Sequence, residues 1–485
     1  MLSGLNRSPY PEAMPLSPLP VDQAVGRLPG LKEPRLLPGN DGCCWLLWLE
    51  QRPQERGRTT ALIRRFGAAN STALELTPAP INLRSRVHDY GGNVLTASLD
   101  NDRLTLAWVS GGNLWRQAWH LPTDELAAPT AMGDPVQLTR SDEGDFADGL
   151  LDLKRRCWIG VREIDGRDAL IRIHLDQPEQ DAQQLHQPAD FLGYACLSPD
   201  GDQLAWLEWQ QPAMPWDSSQ LWLAEIDPDG GLQTPRCIAG GDGISVFQPQ
   251  WLPDGQLLVA EDSSGWWNLM LRQEQEWRRP WPMAAETAMP QWVYGMSTTA
   301  WDGEALLAAV CAEGAWSLKR LWLDGRVDSV EQPFDDLAGL RAHNGRAVAV
   351  ASNSCTGAGL LELTLTGQVE CSWTHAAAVT AVLKEAEISQ GEPLWFDGHD
   401  GRPTHAWYYP PSAGGDGAAP LLVKSHSGPT AMARRGLSLA IQYWTSRGWG
   451  VVDVNYGGST GFGRAYRERL NRGWGVVDVA DCAAA

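Results

Sequence analysis

Short segments in which apolar positions alternate with polar ones recur along the first four fifths of the chain. Leu106-Ala107-Trp108, Asn113-Leu114-Trp115, Leu204-Ala205-Trp206-Leu207, Gln220-Leu221-Trp222-Leu223 and Arg320-Leu321-Trp322-Leu323 are too short for helices, and each predicts a strand. Two of the turns that lead into such strands share Pro-Asp-Gly, at Pro199-Asp200-Gly201 and Pro253-Asp254-Gly255. Proline presets φ, aspartate bonds its own backbone and glycine takes positive φ, so the chain reverses there and returns as a hairpin. Weaker copies at Asp41-Gly42, Asp100 to Asp102, Asp152 to Arg155, Asp302-Gly303 and Asn344-Gly345 bring the total to seven. With Gly42, Asp102, Lys154, Gly201, Gly255, Gly303 and Gly345 as markers, the spacings are 60, 52, 47, 54, 48 and 42 residues. Each unit has room for four short strands, the size of a propeller blade at ~40 to 50 residues. A lone blade cannot cover both its faces, so seven stack about an axis over residues 25–385, with indoles filling the gaps between them. A pair of β-sandwiches would need no turn recurring at this spacing.

After Lys384 the rhythm stops. Pro393 to Asp397 and Thr404 to Tyr409 flank the polar turn His399 to Arg402 and predict a hairpin, followed by a Gly/Ala/Pro-rich loop from Pro410 to Pro420. Leu421-Leu422-Val423 is an apolar run of the kind buried in a parallel sheet, and a helix is expected from about Arg434 to Arg447, capped by Gly448. A second strand, Gly450 to Val454, leads through the glycine-rich stretch 455–463 to a helix at Arg464 to Leu470. Strand, helix, strand, helix marks an α/β unit over 386–485, after an N-terminal extension at 1–24 and the propeller at 25–385.

Composition narrows the function classes. Across 485 residues there are 39 Lys+Arg against 59 Asp+Glu, a formal charge of -20 that repels phosphate backbones and anionic headgroups, so no nucleic acid and no membrane partner is expected. No apolar run approaches the ~18 residues a membrane helix needs, and the proline-rich start has no signal-peptide core, which places the chain in the cytoplasm. Nine irregularly spaced cysteines are expected to be reduced, and no His/Cys cluster has zinc spacing, so no metal or cofactor is expected.

Two loops after predicted strands carry the candidate chemistry, because sites in such sheets form there. In Lys424 to Thr430, small residues let backbone N–H groups face a developing negative charge. In Asn455 to Gly463, Gly457, Ser459 and Gly461 match the Gly-x-Ser-x-Gly nucleophile elbow. That match fails chemically: in this fold the order is Ser, then Asp or Glu, then His, and no histidine follows Ser459 in the sequence.

The loop HSGPT at 426–430, the run VVDVNYGGSTGFGRAYRERL at 451–470 and WGVVDVADC at 474–482 resemble the start of the catalytic domain of prolyl oligopeptidase family serine peptidases. The likeness is greatest to the bacterial dipeptidyl aminopeptidase and acylaminoacyl peptidase branch. Asn82 to Gly92 resembles that family's Arg-x-Arg-Val-His-Glu-Tyr-Gly-Gly segment, with Asp89 in place of Glu. The resemblance implies a seven-bladed propeller capping an α/β-hydrolase domain, and an exopeptidase, aminopeptidase-like, that acts on short peptides admitted by the propeller. It also implies an oxyanion-hole loop at His426, Ser427 and Gly428, with the Ser427 N–H as one donor. Asn455, Tyr456, Gly457, Gly458 and Ser459 fall on the loop beside the active site, Gly457 standing where many members have Arg. Arg86, His88, Asp89 and Tyr90 fall on a propeller segment near substrate. The catalytic Ser, Asp and His are expected beyond Ala485, so the chain is read as a fragment, inactive alone, with an oligopeptide as its substrate in the full protein. A non-catalytic propeller scaffold and an esterase on the same fold are the alternatives.

Overall fold

The computed structural model describes residues 19–26, 28–39, 42–69, 71–124, 127–140, 144–366, 370–378, 383–412 and 419–485. Most of the expected N-terminal extension, Asp41 of the first turn and 413–418 of the Gly/Ala/Pro-rich loop lie outside the described residues. Seven antiparallel sheets follow one another in chain order, spanning 30–75, 95–137, 145–186, 191–241, 246–278, 299–329 and 336–377. Each has four strands, the second with one short strand more. All seven marker positions lie in the turn between the first and second strand of a blade. The indoles of Trp108, Trp158, Trp206, Trp267 and Trp281 are fully buried.

The first and last blades are each built from contiguous sequence, so the ring closes through side chains. Arg64 and Glu362 form a buried ion pair at 2.5 Å, and Glu362 also accepts the Gly67 N–H at 2.6 Å. Leu46, Trp48 and Leu62 pack there against Val348 and Leu360. Toward the channel, every blade places one residue at positive φ: Glu33, Asn93, Asp148, Tyr194, Gln248, Gly295 and Gly339. Five of them sit at a register shift, a bulge that turns the backbone toward the axis. Glu33 Oε1 accepts the Asn93 N–H at 2.8 Å, Asn93 Nδ2 donates to Asp148 Oδ1 at 2.8 Å, and Asp148 Oδ2 accepts the Tyr194 N–H. Left-handed backbone at non-glycine residues costs about 1 kcal/mol each, and these blade-to-blade hydrogen bonds offset it.

Beyond the seventh blade, a mixed sheet runs in the order Glu392–Asp397, Pro403–Tyr409, Gly450–Asn455, Leu421–Ser425, with only the last pair parallel. The expected helix from 434 to 447 is shorter, Leu439–Thr445, capped by Ser438 Oγ and ended by Gly448 at φ +83°. Arg434 and Arg435, expected in its first turn, instead ion-pair with Asp336 and Asp335 beside blade 7. Leu421 and Val423 are 46% and 45% exposed, which corrects the expectation of a buried strand: Leu421–Ser425 pairs on one side only and forms the sheet's edge. The helix Val21–Val25 belongs to the same region, since Leu19 and Ala24 pack with Leu383, Ile388 and Leu439. The end of the expected extension is therefore docked.

Candidate active site

Because Leu421–Ser425 and Gly450–Asn455 run parallel and in register, the loops that follow them meet. Tyr456, buried, stacks on the His426 ring at 4.4 Å, and its hydroxyl lies 3.2 Å from His426 O and 3.3 Å from Pro429 O. One aromatic side chain thus holds the whole turn from 426 to 429. Asn455 has no exposed surface. Its Oδ1 accepts the Ala433 N–H at 2.7 Å and its Nδ2 donates to His405 Nδ1 at 3.0 Å. Burial pushes His405 down to about 4, which keeps that nitrogen an acceptor. Ser427 and Gly428 are exposed, and the Ser427 N–H donates to no acceptor among the described residues.

The structure brings together two residues that the chain-order argument kept apart: His426 Nε2 lies 2.7 Å from Ser459 Oγ. Among the described residues the pair has no third member. His426 Nδ1 meets Ser427 O at 3.1 Å and Tyr456 Oη at 3.3 Å, not a carboxylate, and burial pushes the ring down to about 4. Ser459 itself has no exposed surface. A weakly basic imidazole and an enclosed hydroxyl suit a tie between two loops better than nucleophilic attack. Gly457, next to this tie, has no room for a side chain: a Cβ there would lie 2.9 Å from Val477 Cγ1, and its N–H donates to Asp481 Oδ2 at 2.7 Å. Asp481 also accepts the His399 N–H at 2.7 Å, joining the last helix to the first hairpin.

On the propeller, Asp89 and Tyr90 line a cavity of about 540 Å³, together with Lys32, Glu33, Arg84 and Tyr294. Arg86 and His88 do not line it. Arg86 pairs with Asp145 on the surface, and His88 turns toward blade 3, with Nε2 2.9 Å from Asp168. Glu163 accepts the His88 main-chain N–H, and Asp168 also accepts the Leu192 N–H at 3.1 Å.

Several contacts that no sequence pattern announced join the propeller to the two loops. The Trp292 indole N–H donates to Thr430 O at 2.7 Å, while its ring lies 6.0 Å from Tyr90 and 4.3 Å from Trp216. Glu286, fully buried, accepts the Gly463 N–H at 3.0 Å and the Trp267 N–H at 3.3 Å. Burial pushes its carboxyl up to about 7, with Arg467 opposing. Asp262, without exposed surface, pairs with Arg467 at 2.5 Å and Arg464 at 3.5 Å, and Arg467 lies over the Trp267 ring. These partners are far apart in sequence, so only three-dimensional proximity reveals them.

Comparison with known proteins agrees with the fold. Residues 435–485 match the prolyl oligopeptidase family. A puromycin-hydrolyzing peptidase of Mycobacterium tuberculosis superposes with a TM-score of 0.86 at 30% identity, over 97% of this chain and 72% of its own. A puromycin hydrolase gives 0.85 at 31% identity, over 99% and 74%. The chain belongs to the prolyl oligopeptidase family. Prolyl oligopeptidase B of Galerina marginata, at 13% identity and a TM-score of 0.69 over 95% of this chain and 66% of its own, shares the fold of that family. No curated protein sequence matches the chain. The seven blades and the mixed sheet are the propeller and the opening part of the hydrolase unit of this serine peptidase family. Among the described residues, no helix is long and apolar enough to cross a membrane.

Proposed function

We propose that this chain forms the access-restricting propeller, 25–385, and one wall of the active site, within 386–485, of an exopeptidase that takes short peptides by their amino-terminal end. The observation that carries the reading is the Ser427 N–H, without an acceptor among the described residues, just past the end of a parallel strand in the turn that Tyr456 holds, next to the Trp292 contact that leads to Tyr90 and Asp89. A main-chain donor in that place stabilises an oxyanion regardless of the serine side chain. His426 and Gly428 shape its turn, Asn455 to Ser459 form the adjoining wall, and the exposed carboxylate of Asp89 suits a substrate ammonium. The 485-residue polypeptide is itself catalytically silent, because His426 is a weak base without a carboxylate behind it. The relatives' hydrolysis of puromycin makes puromycin the first ligand to test.

Two measurements test this. Calorimetric titration with puromycin, a free-amine tripeptide and its N-acetylated form should favour the free amines, with a loss on the order of tenfold in Asp89→Asn, about 1.4 kcal/mol. Equal affinity for the acetylated peptide would refute the amino-terminal reading. A fluorophosphonate probe should leave Ser459 unlabelled; stoichiometric labelling there would overturn the silent-dyad argument.

A further inference from the structure

The strand Asp336–His343 is the first strand of blade 7. Its start meets Arg434 of the hydrolase unit, so His343, seven residues on and ~23 Å away at ~3.3 Å per residue, lies toward the far mouth. Bordered by residues of the positive-φ belt, Asp148 and Tyr194 among them, a cavity of about 440 Å³ is lined also by Gln250, Trp251, Trp301, Arg341 and His343. The volume suits a small organic ligand.

Two polar groups in this lining lack their complements. The Arg341 guanidinium donates to Ser297 Oγ, to Leu340 O at 3.0 Å and to Gly295 O at 3.4 Å, all uncharged, and no carboxylate among the described residues pairs with it. Burial pushes it down to about 10, and of the nearby charges Arg35 and Glu33 act in opposite directions. Gln250 Oε1 is buried without a donor. A half-buried cation with no carboxylate in ion-pair reach among the described residues and a buried carbonyl without an N–H are each costly to leave unmatched. Asp148, the carboxylate in the lining, is taken up by Asn93 Nδ2 and the Tyr194 N–H, and burial pushes it up to about 6.

We propose that the far-mouth cavity binds a small carboxylate with a neighbouring N–H, the carboxyl-terminal end of a short peptide. Arg341 takes the carboxylate, whose two oxygens match its fork of donors, and Gln250 Oε1 takes the N–H. Trp251 and Trp301 cover the apolar remainder. The choice of a peptide rests on the peptidase reading, whereas the carboxylate chemistry rests on the cavity alone.

The test is calorimetric titration of the 485-residue chain at low salt with N-acetyl-dialanine and with its carboxamide. The acid should bind at least tenfold more tightly than the amide, and R341Q should bind both alike. Equal binding of acid and amide by the unaltered chain overturns the proposal without any variant, as does a preference that survives R341Q. Inorganic phosphate provides a third arm: binding weaker than that of the peptide acid supports a peptide ligand, and binding as tight as the acid's overturns it. No turnover is measured, so failure here is distinguishable from failure of the peptidase reading.

Discussion

Replacing Glu286 by glutamine isolates the electrostatic cost of burying a carboxylate at the seam between the propeller and the loop 455–463. The docked structure holds the Glu286 proton up to about 7, against 4.5 for the group in water. The docked form therefore binds the proton more tightly, and the associated stability is fully present below pH 4.5 and lost as pH rises through about 7. At about 1.36 kcal/mol per pH unit, the gap amounts to about 3 kcal/mol. Glutamine stays neutral at every pH and should not show this loss. It also gives up the weak 3.3 Å bond from the Trp267 N–H, about 1 kcal/mol at any pH, so the test lies in the slope with pH and not in the absolute value. Urea unfolding and hydrogen exchange over 457–467, at pH 5 and pH 8.5, give that slope. The unaltered chain should lose about 2.5 kcal/mol more than Glu286→Gln between the two pH values. Identical slopes for the two proteins would refute the argument that this carboxylate is desolvated by docking.

Asp262→Asn leaves Arg467 buried without its partner and should destabilise the seam by about 3 to 5 kcal/mol, read as earlier proteolysis of residues after 386 while the blades stay protected. Glu362→Gln should weaken the ring closure by a similar order, read as faster amide exchange in blades 1 and 7 ahead of the others. Trp292→Phe keeps the ring but removes the donor to Thr430 O; exchange at 426–431 should rise by a factor worth about 1 kcal/mol, with the rest of the hydrolase unit unchanged. The one-sided strand Leu421–Ser425 presents two exposed apolar side chains, so the chain should self-associate at high concentration, and Val423→Lys should lower its light scattering.

Local chemistry carried most of the architecture. The seven turns were legible because Pro, Asp and Gly act within four residues, and all seven fall between the first two strands of a blade. Both loops of the candidate site were legible too, since they follow predicted strands and match family motifs. The exposure of Leu421 and Val423 was not, because an apolar run looks the same whether a strand has two neighbours or one. The helix at 434–447 came out shorter because Arg434 and Arg435 found Asp336 and Asp335, partners that helix propensity does not consider.

The chain order of motifs argued against Ser459 as a nucleophile, and the spacing of the recurring turns was enough to count the blades. Backbone geometry acts over a few residues, so those conclusions need nothing beyond the string of letters. Folding alone put His426 against Ser459, set Glu286 under Gly463, and left Arg341 in the channel without an ion-pair partner among the described residues. Such pairings depend on burial and distance between segments remote in sequence, quantities that come into existence only when the blades close and the hydrolase unit docks on them.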